Sequence, residues 1–133
     1  MKISIVESLY KNVYASSKEL SILSYFLMDD VGGRPINSLV NWLNNDNYES
    51  AVLNYSYIKK NGSKVLIYAF YDGYEREEHK DRDKFEIEKD ELIKIAKQWQ
   101  DVYSKYIFMK ITEEDGIFNI IGAHKKDWWN SKS

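Results

Sequence analysis

The chain contains no cysteine in its 133 residues. That excludes disulfides, thiolate metal sites and cysteine nucleophiles, and nothing points to an oxidising compartment. Proline occurs once and glycine six times, with no low-complexity tract, no internal repeat and no linker. No run of eighteen apolar residues is present to span a membrane. The opening Met1-Lys2-Ile3-Ser4-Ile5-Val6-Glu7 is too short an apolar stretch, too soon interrupted by charge, for a signal peptide. The expected compartment is the cytoplasm.

Charge of one sign is also lacking. Nineteen Lys and Arg oppose twenty-one Asp and Glu, a net charge of −2. A nucleic-acid binder usually carries a basic domain or stripe, so that class is disfavoured, whereas a basic protein partner is not. Catalytic signatures are missing as well. There is no Gly-x-Ser-x-Gly elbow, no His-x-x-x-His or His-Glu-x-x-His pair and no phosphate loop. Gly32-Gly33, between Val31 and Arg34, reads as a turn. His79 falls in a charged stretch and His124 opens a polar tail, where solvated histidines are expected. Asp29-Asp30, Glu77-Glu78 and Glu113-Glu114-Asp115 lack the spacing of a calcium loop and read as solvated turns. No enzymatic activity, metal or cofactor is expected.

What is present is a composition that folds. Hydrophobic residues make up 44% and charged residues 30%, and the length suits one domain over 1–133. Aromatics reach 15%, eleven of them Tyr. Such residues suit pleated surfaces and also anchor interfaces.

Along the chain, residues 2–6 suit a first strand. Ser16 and Ser17 are candidate N-caps for a helix with Glu19 in its first turn and Leu20, Leu23, Phe26 and Leu27 on one face. Ile22 and Tyr25 blur that face, so a strand remains open there. Pro35 suits the first turn of a second helix burying Leu39, Val40 and Leu43 beside Trp42. Residues 51–58 and 64–71 are apolar runs joined at Asn61-Gly62, a type I′ hairpin signal. The second run is apolar on both faces, as in a central strand.

Residues 72–91 carry ten acidic and five basic side chains, net −5, leaving +3 for the rest. Residues 74–83 have no apolar periodicity and read as an exposed loop. Phe85 and Ile87 form a brief strand before a helix with Leu92, Ile95, Ala96, Trp99 and Tyr103 on one face. A second hairpin follows, 106–112 and 117–122, about Glu113-Glu114-Asp115-Gly116. The expected fold class is α+β, an antiparallel sheet of four to six strands packed by two or three helices.

The acidic loop is the expected partner-binding site, through Asp72, Tyr74, Glu75, Glu77, Glu78 and Asp81. Clustered carboxylates steer a basic partner and bond its Arg and Lys, while Tyr71 and Tyr74 supply anchors. Trp128-Trp129 either folds back onto a sheet face or makes an oligomer or partner contact.

The stretch Phe85-Glu86-Ile87-Glu88-Lys89-Asp90-Glu91-Leu92, running on through Ile95 and Trp99 into Ile107-Phe108-Met109-Lys110-Ile111, resembles the strand–helix–hairpin block of small bacterial immunity proteins. Those belong to polymorphic toxin and contact-dependent growth inhibition systems. The resemblance spans about residues 83–122. It implies a cytoplasmic antitoxin that binds one cognate toxin domain and blocks its active site. Two other expectations stand beside it. One is a self-associating structural or regulatory module, a homodimer using a sheet edge or Trp128-Trp129. The other is a small hydrolase with convergent carboxylates, which leave no linear signature.

Overall fold

A computed structural model describes residues 2–7, 12–15, 18–53, 56–69 and 84–123. The protein is α+β, and its described residues form eight strands in two antiparallel four-stranded sheets where one sheet of four to six was expected. Strands β1 (Lys2–Glu7) and β2 (Asn12–Ala15) pair with each other, and β1 then pairs with β7 (Phe108–Glu114), which pairs with β8 (Ile117–Ala123). This first sheet has the order β2-β1-β7-β8. The second runs β3 (Ser50–Val52), β4 (Ser56–Asn61), β5 (Lys64–Ala69) and β6 (Lys84–Glu88), in chain order. The chain termini of the first sheet's members lie a hundred residues apart, which is why local pattern did not separate the sheets.

The apolar run expected over 51–58 is two strands, because the chain reverses between Leu53, whose N–H donates to Ser56 O at 2.7 Å, and β4. The β4–β5 hairpin sits one residue later than expected. Asn61 pairs with Lys64, so Gly62-Ser63 forms the loop. Gly62 alone has positive φ (63°), the pattern of a type II′ turn. The type I′ pattern belongs to the other hairpin, where Asp115 (φ 53°) and Gly116 (φ 81°) link β7 to β8.

The expected central strand is borne out: β5 has Val65, Leu66, Ile67 and Tyr68 all buried. Strand β6 alternates strictly, Phe85 and Ile87 inward, Lys84, Glu86 and Glu88 outward.

Helix α1 (Lys18–Tyr25) touches both sheets. Leu20, Ile22, Leu23 and Ser24 are all buried, with Glu19 and Tyr25 exposed near its two ends. A helix covered from two sides needs no polar stripe, which explains the blurred periodicity. The expected caps Ser16 and Ser17 lie outside the described residues. Helix α2 (Asn37–Asn44) begins two residues after Pro35 and buries Leu43, with Leu39, Val40 and Trp42 half-buried. Helix α3 (Lys89–Tyr103) follows β6 directly and buries the expected Leu92, Ile95, Ala96 and Trp99. Asp90 and Glu91 occupy its first turn, where the helix dipole favours them. One buried cluster joins these helices to Val6, Met109, Ile111 and Phe118 of the first sheet and Ile58, Val65, Ile67 and Phe85 of the second.

Helix α3 also finishes the edge of β8. Alternation of the β7–β8 ladder from the Glu114–Ile117 pair points the N–H groups of Phe118 and Ile120 away from β7. Glu91 Oε1 accepts the Phe118 N–H at 3.3 Å and Gln98 Oε1 the Ile120 N–H at 2.8 Å. Two side chains, two turns apart on one helix face, thus occupy two of the outward donors of an edge strand.

Candidate functional site

Helix α1 does not stop at Tyr25. It widens into a π-helical turn over Phe26–Val31, closed by the Gly32 N–H donating to Leu27 O at 2.7 Å. Single π turns recur at functional sites because they redirect side chains that a regular helix would aim elsewhere. Here the turn buries Phe26, Leu27, Met28 and Val31 and leaves Asp29 and Asp30 half-buried. Gly32 ends it with φ 54° and ψ −141°, a conformation that side chains resist.

Two contacts from α3 fix this exit. The Trp99 indole N–H donates to Gly32 O at 2.9 Å, and Trp99 is fully buried. The Tyr103 ring lies so close over Gly33 that a Cβ there would stand 2.7 Å from Cε1. The chain then turns through Arg34 and Pro35 into α2. The Arg34 guanidinium reaches the Asp30 carbonyl at 3.5 Å, bringing both residues to one rim.

Between the π turn, α2 and the inner face of the second sheet lies a half-open cavity of about 610 Å³. Its walls are apolar, with Phe26, Val31, Ile36, Leu39, Trp42 and Ile58 dominating, and Asp30 and Arg34 supply its charges. The α2 wall is held in place by Lys60 of β4. Its ammonium donates to the carbonyls of Trp42 and Asn45 and lies 4.4 Å from the centroid of the Trp42 ring. A cation at a helix C-terminus satisfies orphan carbonyls and complements the dipole, and stacking on the indole adds to it.

The chemistry this arrangement offers is recognition. The walls remove an apolar or aromatic group from water, and one carboxylate and one guanidinium at the rim bond polar groups that accompany it. The pocket's hydroxyl, on Ser38, is accompanied by no histidine. Among the described residues no group of three or more His, Asp or Glu side chains comes together to hold a metal ion. Among them too, no helix is long and apolar enough to cross a membrane.

The expected partner-binding residues Asp72, Tyr74, Glu75, Glu77, Glu78 and Asp81 lie outside the described residues, as do His79, His124, Trp128 and Trp129. The segment carrying the first six joins β5 to β6, whose Tyr68 and Lys84 are register partners. The pocket residues Asp30, Arg34 and Trp42 had no signal as a site. Asp30 reads as a helix end and Trp42 as a flank of α2, and what joins them is packing between 26–42 and 51–58. Compared with protein-family models, curated proteins and solved structures, the chain matches none.

Proposed function

We propose that the protein works by binding another protein, as a cytoplasmic immunity protein that occludes the active site of a toxin domain. The observation that carries the reading is the apolar pocket behind the π turn, with its Asp30–Arg34 rim. Interfaces concentrate their energy where one apolar or aromatic side chain enters a pre-formed, desolvated pocket with a polar surround. Here the walls are pre-formed, since Trp99 and Tyr103 fix the π turn and Lys60 fixes α2. The class of partner, a toxin domain, is proposed on the sequence resemblance of about residues 83–122 to immunity proteins.

The test is capture of tagged protein from its own cells, with mass spectrometry of what is retained, run beside Leu39→Arg. Leu39 is a half-buried wall residue, so the variant fills the pocket with little loss of core. One stoichiometric partner with a toxin-like domain, lost about tenfold or more by the variant, is the expected result. Equal capture by the variant removes the pocket from the interface. Capture of the protein's own copies, confirmed by light scattering, replaces the reading with self-association. The exposed Ile117 and Ile121 on the outer face of β8 are the observation that favours that second reading.

A further inference from the structure

Strand β6 also ends a sheet, and its edge is finished differently from that of β8. The Lys89 N–H donates to Ser63 O at 2.9 Å, which fixes the phase of the β5–β6 ladder. By alternation Phe85 and Ile87 direct their backbone groups at β5, and Lys84 and Glu86 direct N–H and C=O away from it, as Glu88 does its N–H. No described residue bonds these outward groups. They face a cleft of about 600 Å³, lined by all five residues of β6 and walled opposite by Lys2 and Glu113. Its floor is apolar, formed by Leu20, Phe85 and Phe118, with the two phenyl rings edge to face at 5.5 Å.

We propose that an extended segment of a partner protein adds to β6 in this cleft as a fifth, antiparallel strand. Unpaired backbone groups on an edge strand are a template for such addition, and side chains beside it set the choice of sequence. The incoming strand places apolar residues opposite Phe85 and Ile87, over the floor. On the outer face it places an acid opposite Lys84 and a base opposite Glu88. Those two side chains have no ion pair among the described residues, whereas Glu86 already meets Lys64 at 3.5 Å. The far wall favours a lone segment over the edge of a second folded copy, because Lys2, Glu19 and Glu113, bridged at 3.9 Å, stand where that copy's own sheet would lie. The inference shares with the proposed function only that the occupant is a protein. It is read at β6, so its failure leaves the pocket untouched.

The probe is the acetylated, amidated peptide Thr-Lys-Val-Thr-Ile-Glu-Thr at millimolar concentration, with amide hydrogen exchange of the full chain followed by NMR. In the free protein the Glu86 and Glu88 amides exchange quickly. With peptide at ten times its dissociation constant they slow by about tenfold, and Phe85 and Ile87 change little. A chain carrying Lys84→Glu with Glu88→Lys prefers the peptide with Lys and Glu exchanged. Absence of slowing, or equal slowing by a peptide with proline at the central Thr, overturns the proposal. So does slow exchange in the free protein, which means the edge is already covered: by a second copy where it depends on concentration, by the chain itself where it does not.

Discussion

Strands β8 and β6 both end a sheet and both lie against α3. At β8, Glu91 and Gln98 take the outward N–H groups of Phe118 and Ile120. At β6 the matching groups of Lys84, Glu86 and Glu88 open onto a cleft. Charge marks the same division. The β6 residues that expose their backbone are all charged, which discourages indiscriminate pairing while leaving selective pairing open. At β8 the outer face carries exposed Ile117 and Ile121, so there the backbone must be closed by other means. The other edge of the second sheet, β3, has three residues and is protected by shortness. Among the described residues, two outward donors of β8 are taken by α3 and those of β6 by none, which is the ground for proposing that β6 serves recognition.

The comparison depends first on α3 being held in place. Trp99→Ala removes a fully buried indole and its bond to Gly32 O, and is expected to cost about 3–5 kcal/mol in urea unfolding. If α3 aligns the seal, exchange at the Ile120 amide accelerates more than at Glu86, which has no seal to lose. Next comes the end of β8, where the Tyr106 ring lies directly over Gly122 and leaves no room for a methyl group. Gly122→Ala should cost about 1–3 kcal/mol, and adding Tyr106→Ala should recover part of it, a coupling that a double-mutant cycle measures.

Gln98→Ala tests the seal itself. It strips the acceptor from Ile120 N–H and should cost about 1–2 kcal/mol, with faster exchange at that one amide. An unchanged Ile120 amide would mean the two edges do not differ in the way described. Glu86→Pro is the counterpart on the open edge. Its N–H faces the cleft, so no ladder bond is lost, and stability should stay within about 1 kcal/mol while addition of the extended peptide is abolished.

The smallest effect lies at the far end of α3. Asp101, 2.9 Å from Lys105, raises that lysine's pKa above its ordinary 10.5, first by hydrogen bonding and then by charge. Stability from this pair is therefore present below pH 10.5 and lost as pH rises through the raised value. Asp101→Asn should flatten that alkaline slope: its slightly lower melting temperature is seen below pH 10.5, and the difference from the parent chain disappears as pH rises through the raised value. It should leave both edges as they were.

Several parts of this arrangement were legible in the residues. The strict alternation of Phe85 and Ile87 identified β6, and the spacing of Leu92, Ile95, Ala96 and Trp99 identified α3. Both signals are local, because a strand or helix with one buried face writes its period into neighbouring positions. Gly62, Asp115 and Gly116 marked both hairpins, since positive φ is confined to few residue types. The first helix was harder to read because burial from two sides erased its stripe. Strand β2 was not foreseen, and neither was the reversal at Leu53 that makes two strands of one run.

The candidate sites were hardly legible at all. The acidic residues from Asp72 to Asp81, the most conspicuous feature of the composition, lie outside the described residues. The pocket instead unites Asp30, Arg34 and Trp42 with Ile58, and the cleft unites Lys2 and Glu113 with β6, pairs far apart in the chain. Likewise, Gln98 reads as an exposed helix position until β8 is laid beside it.

The sequence by itself determined the α+β class, the identity of β5 as a central strand and the buried face of α3. Each depends on the period of apolar residues along a single element, which the chain fixes before it folds. Tertiary structure alone decided that the strands divide into two sheets, that α1 widens into a π turn and that, among the described residues, α3 bonds the edge of β8 and not that of β6. Those outcomes depend on which distant backbone groups meet, and a donor or acceptor carries no mark in the sequence of the partner it will find.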